Sequence, residues 1–181
     1  MSAVRSLRRI SCSGVAQRVV DPAWADPLDP VSAAHEGGRW NPPGSFGVLY
    51  LNLGEDVARA NVARLFAGLP YGPEDLDPDT APMLVEVTLP EEDDVDAVTT
   101  DGLAQLGLPA SYPLDAVGVT VPRSTCQPIG QMLWEVGELG VVCLSAAFGA
   151  ESGRELAWFA SPGRTRLAVK ARRPFNNWFW R

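Results

Sequence analysis

Residues 36–51 read EGGRWNPPGSFGVLYL, and they decide how the rest of the chain is laid out. A Gly37-Gly38 pair, then Arg39 and Trp40, then a Pro42-Pro43-Gly44 turn lead into the apolar run VLYL at 48–51. Glycine admits close backbone approach and the prolines restrict the chain that follows, so the Arg39 guanidinium is pre-positioned. A planar fork of donors held in place suits carboxylate or phosphate oxygens. The apolar run 47–53 predicts a buried strand.

Beyond that strand, 55–67 has helical character. Glu55 and Asp56 suit a helix N-terminus, and Gly68 and Pro70 end the segment. Projected at about 100° per residue, Val57, Ala58, Val62, Leu65 and Phe66 cover one apolar arc, and Asn61 falls inside it. An inward amide is either satisfied by neighbouring backbone or put to use. Tyr50 lies eleven residues after Arg39, and Asn61 eleven after Tyr50. A strand leaving the arginine and a helix returning over it can bring all three around one cleft.

Further out, 83–89 (MLVEVTL) alternates as a half-exposed strand does, and 116–121 is a candidate strand. Ser124 or Thr125 can cap a helix with Pro128 in its first turn, and Ile129, Met132, Leu133 and Val136 recur on one face. Gly137 and Gly140 break it; 141–145 (VVCLS) follows as a buried strand, and 155–160 and 167–170 read as the last strands. Residues 21–30 (DPAWADPLDP) read as a surface loop. The pattern predicts an α+β fold: a single compact domain over 1–181, with a mixed sheet and flanking helices, a core at about 7–170 and a basic, aromatic tail at 171–181.

Composition narrows the function. With 181 residues, 46% hydrophobic and 20% charged, the chain suits one soluble domain. A formal net charge of -7 argues against direct binding of nucleic acid or an anionic membrane. The charge is uneven: Glu91, Glu92, Asp93, Asp94 and Asp96 form an acidic run, and Arg164, Arg166, Lys170, Arg172, Arg173 and Arg181 a basic end, both expected as solvated faces. Cys12, Cys126 and Cys143 are odd in number and widely spaced, which fits a reducing cytoplasm and gives no zinc pattern. His35 is the single histidine, so no metal site is expected and a Ser-His-Asp arrangement has little room. Arg5, Arg8 and Arg9 precede no apolar signal-like core, and no segment approaches a membrane span. The tail PFNNWFW reads as a segment packed on the domain or on a partner rather than as a membrane anchor, and it is a candidate contact for a second subunit or antitoxin on the strength of unpaired arginines beside tryptophans.

Taken together, GGRWNPPG, VLYL, a helix beginning GEDVARA, an apolar helix leading into GVVCLS and a strand like ELAWF resemble the RES domain. That family is named for an arginine, a glutamate and a serine and comprises toxins of bacterial toxin–antitoxin pairs. The resemblance spans about 7–159 and implies a fold similar to that of ADP-ribosyltransferases. The implied activity is degradation of NAD+ by hydrolysis or phosphorolysis of its nicotinamide–ribose bond. NAD+ is then the substrate, phosphate a candidate co-substrate, and no cofactor is held permanently. The resemblance further implies an antitoxin with a DNA-binding domain that covers the active site; homo-oligomerisation stays open.

Position by position, the motif arginine is Arg39, expected to grip a phosphate; Tyr50 lines the nicotinamide-ribose pocket; the serine is Ser145, donating to ribose or phosphate. Arg9 is the expected N-terminal arginine, with Arg18 its rival, and Trp40 joins Arg9, Arg39 and Tyr50 as a dinucleotide contact. Asn61 stands where the family carries its glutamate. A carboxylate stabilises oxocarbenium character at the sugar, and losing one such aimed group commonly costs about 2.7–4 kcal/mol. Glu36 or Glu55 can take its place, although Glu55 points away; phosphate can act as a nucleophile needing less activation; or a nucleotide pocket persists without turnover. ADP-ribose transfer to a macromolecule is a further alternative. If the position is equivalent, Asn61→Glu raises turnover.

Overall fold

The computed structural model describes residues 7–148 and 153–181; Arg5 of the basic N-terminal stretch lies outside them. In chain order the elements are β1 (Arg9–Val20), α1 (Val31–Glu36), β2 (Val48–Asn52), α2 (Glu55–Leu65), β3 (Met83–Ala97), α3 (Thr100–Leu106), α4 (Arg123–Glu135), β4 (Gly140–Leu144), β5 (Arg154–Phe159), β6 (Val169–Arg173) and α5 (Phe175–Trp178). The strands form one mixed sheet in the order β1-β2-β5-β4-β3-β6, and β1 also pairs with β3, so five strands close into a ring. Every pairing is antiparallel except β3 with β4. The fold is α+β.

Closure gives the strands two buried faces. Ala16, Val20, Leu49, Leu51, Val85, Val87, Val142, Leu156 and Trp158 converge inside the ring. Val48, Ala157, Phe159, Val141 and Cys143 face outward and are covered by Leu103 and Leu106 of α3, Cys126 and Leu133 of α4, and Trp40 and Phe46. On β2, β5 and β4 this outward face turns polar at one end. Val48, Tyr50 and Asn52 share it by alternation, as do Phe159, Ala157 and Glu155. The register sets Asn52 directly opposite Glu155. Apolar residues there seat α3 and α4; the polar end is left for α2 to overhang.

Several expectations need correction. The acidic run is solvated only in part: β3 continues through it to Ala97, with Glu91 and Asp93 exposed but Asp94 and Asp96 buried. Segment 116–121 makes only an isolated bridge, Leu114 to Thr120. Helix α4 begins at Arg123 after Pro122 without a side-chain cap, and Pro128 lies inside it. Met132 and Val136 are exposed, while Gly130 packs inward because its missing Cβ admits the Trp40 carbonyl. Leu65, placed on the buried arc of α2, is 70% exposed; the buried positions are Val57, Ala58 and Val62.

The C-terminal aromatics turn inward. Phe175, Trp178 and Phe179 are buried against Ala58 and Val62 of α2, and only Trp180 among them is exposed. Half of the basic end is paired: Arg164 with Glu92, Arg166 with Asp26, and Arg173 with Glu55 and Glu86, while Lys170, Arg172 and Arg181 are exposed.

Candidate functional site

The Arg39 loop is built as its composition dictates. Gly37 takes φ 75°, a left-handed conformation that favours glycine, and a Cβ on Gly38 would overlap the Tyr50 ring. The Gly38 N–H donates to the Asn41 carbonyl at 2.9 Å, closing a tight turn with Arg39 at its tip. Asn41 is fully buried and its amide donates to the carbonyls of Ala33 (2.6 Å) and Phe46 (3.1 Å). The Tyr50 hydroxyl donates to Asn41 Oδ1 at 2.7 Å and accepts from the Trp40 N–H at 2.9 Å. Burial pushes that hydroxyl well above the usual tyrosine range, so it stays protonated. Tyr50 therefore presents its ring to the cleft and spends its hydroxyl on the loop.

Arg39 is half-buried and donates from Nη1 to the Val121 carbonyl at 2.8 Å. Its remaining donors border a cleft of about 790 Å³, lined by residues of the Arg39 loop, β1, β2, α2, the start of α4 and β5. Four arginines face it, Arg18, Arg39, Arg64 and Arg123, and two glutamates, Glu36 and Glu155. Arginines from four separate elements bordering one cleft suit a ligand carrying several anionic oxygens.

At the polar end of the sheet, α2 lowers Asn61 onto β2 and β5. Its Nδ2 donates to Asn52 Oδ1 at 2.8 Å and to Glu155 Oε1 at 2.7 Å. Its Oδ1 accepts from Ser145 Oγ at 3.4 Å. Ser145 is fully buried just beyond β4, on the same face as Cys143, and Ala147 N–H reaches its Oγ at 3.3 Å. Arg39, Tyr50 and Asn61 thus line one cleft, with Ser145 behind Asn61.

Two expected contacts lie elsewhere. Arg9 is exposed at the far end of β1, where it pairs with Glu138 at 2.7 Å. Its rival Arg18, nine residues along the strand, lines the cleft, is 7% exposed, and donates to the Pro27 carbonyl at 2.8 Å. Trp40 is fully buried among Tyr112 and the α4 side chains and does not line the cleft, because its backbone, not its ring, braces Tyr50. Of the substitute acids, Glu55 is committed to Arg59 and Arg173. Glu36 is exposed at the rim.

Glu155 was missed, although β5 carries it on the same alternation as Ala157 and Phe159. No cysteine lines the cleft among the described residues, and burial pushes the Cys143 thiol behind it up to about 12. Among the described residues no cluster of three metal-ligating side chains forms, and no helix is long and apolar enough to cross a membrane.

The RES-domain model matches residues 15–176, which contain every residue of this cleft. The chain belongs to the RES-domain family. This RES domain is similar in fold to a chain in the crystal structure of the M. tuberculosis MbcT–MbcA toxin–antitoxin complex, with a TM-score of 0.74 and 24% identity over 92% of this chain and 86% of that one. No curated protein matches it.

Proposed function

We propose that this RES domain is a toxin-like enzyme that cleaves the nicotinamide–ribose bond of NAD+, with water or phosphate taking the place of nicotinamide. One observation carries the reading: a single cleft joins four arginines to a polar Asn61–Asn52–Glu155–Ser145 network at the end of the sheet. The arginines suit the pyrophosphate, with Arg39 set by its braced loop. The polar network suits ribose hydroxyls, which both donate and accept hydrogen bonds. A protein antitoxin that closes the cleft is the partner we propose, by analogy with the complex to which the fold is similar.

The test is release of nicotinamide from NAD+ by purified protein, with and without phosphate. Release should be measurable in the wild type and fall at least about 100-fold in Arg39→Ala, since an aimed charge at a reacting ligand is commonly worth that much. Binding of NAD+ without release would favour a nucleotide-binding module, which the full engagement of the Asn61 amide would suit. Labelled ADP-ribose appearing on protein or nucleic acid would indicate transfer instead.

A further inference from the structure

We propose that Glu155, entering the cleft from β5, supplies the carboxylate that α2 lacks, and that Asn61 is its positioning residue. The inference rests on the NAD+ reading above and adds the identity of the group that meets the developing sugar cation. Glu155 lies 94 positions from Asn61 in sequence, yet its Oε1 is 2.7 Å from the Asn61 amide nitrogen. Both hydrogens of that amide are taken, one by Asn52 and one by Glu155, and its oxygen by Ser145. Asn61 therefore has little left to offer a ligand; what it does is fix a carboxylate. Glu155 lines the cleft, and among the described residues none of the ion pairs involves it, which leaves the carboxylate available to a ligand.

The pair also explains the asparagine. A glutamate on α2 would meet the β5 carboxylate at hydrogen-bond distance, and two like charges so close disfavour ionisation of both. An amide facing the carboxylate donates to it. One carboxylate, placed on either element, satisfies the cleft; this chain places it on β5. Asn61→Glu alone then sets two carboxylates against each other, and the gain in turnover expected from sequence is replaced by a loss.

In the reaction the bond from ribose C1′ to the nicotinamide nitrogen breaks, and its electron pair leaves with nicotinamide, neutralising the pyridinium. Positive charge spreads over C1′ and the ring oxygen, where the Glu155 carboxylate stabilises it. Water then bonds to C1′ and gives up one proton, which Glu155 accepts and passes to solvent; phosphate dianion bonds there without that transfer.

The test uses the full chain with two readouts. Nicotinamide release should fall about 10²–10³-fold in Glu155→Gln, and the exchange Asn61→Glu with Glu155→Gln should recover at least tenfold of it. Binding is followed with ADP-ribose and with ADP joined to a protonated hydroxymethyl-pyrrolidinediol, a cationic mimic of the ribosyl transition state. The wild type should prefer the cation at least tenfold, and Glu155→Gln should lose that preference, weakening the cation more than it weakens ADP-ribose. A merely structural clamp would weaken both ligands alike. If Glu155→Gln keeps turnover and preference, or the exchange recovers nothing, the inference is overturned while the NAD+ reading stands. If the wild type neither releases nicotinamide nor binds either ligand, the NAD+ reading falls and the inference with it.

Discussion

At the scale of single residues, the cleft depends on polar atoms that bond to the protein rather than face the cavity. The Tyr50 hydroxyl bridges the Trp40 N–H and the buried Asn41, and so sets the loop that carries Arg39. Tyr50→Phe leaves a buried acceptor and a backbone donor without partners, a loss of about 1–3 kcal/mol. Thermal unfolding should fall by roughly 2–4 °C for each kcal/mol lost. The same variant should raise KM for NAD+, because the arginine loses its fixed setting; an unchanged melting temperature would show that water replaces the hydroxyl. Sequence made this loop legible because its residues are close together and glycine and proline act locally. Glu155 was invisible for the opposite reason: nothing within 155–160 says which end of the strand borders a cleft, and that depends on pairing with β2. Arg9 and Arg18 were separated only by the length of β1, which carries one to each end of the sheet.

At the scale of elements, β3 is the strand that sequence read least well. Its alternation is clear at 83–89, but the acids that follow imitate a solvated loop. The strand continues there because β1 pairs along one edge and β4 takes up the other at Val95–Ala97. Asp94 is buried as a result; desolvation, the largest cause, raises it from 3.8 to about 7, with nearby Arg164 pulling the other way. The sign follows from linkage. The folded state holds this proton more tightly than the unfolded chain, so the contribution to stability is complete below about pH 3.8 and is lost as pH rises through about 7. At about 1.4 kcal/mol per unit, the displacement amounts to a few kcal/mol. Asp94→Asn should therefore flatten the stability profile between pH 4 and 7 and raise the melting temperature at pH 8. Melts across that range decide it: a slope identical to the wild type means that the titrating group lies elsewhere.

At the scale of the whole molecule, the C-terminus and the cleft are coupled through α2. One side of that helix carries Asn61 into the cleft; the adjoining side, Ala58 and Val62, rests on Phe175, Trp178 and Phe179. Arg59 donates to the carbonyls of Phe179 (2.7 Å) and Trp178 (2.9 Å), and Trp178 Nε1 donates to the Pro82 carbonyl at 3.3 Å. A tail that sequence left between packing on its own domain and docking a partner is thus the floor beneath a functional helix, because its aromatics find their apolar partners within the same chain. Trp178→Ala empties the centre of this floor and should cost about 3–5 kcal/mol. The loss of activity should exceed what the unfolded fraction explains, since α2 would shift Asn61 relative to Glu155 before the ring of strands opens. Nicotinamide release measured well below the variant's melting temperature makes the distinction. A drop in kcat there, with ADP-ribose binding retained, is expected from a displaced Asn61–Glu155 pair; full kcat would mean that the sheet alone holds the cleft and the tail serves only global stability.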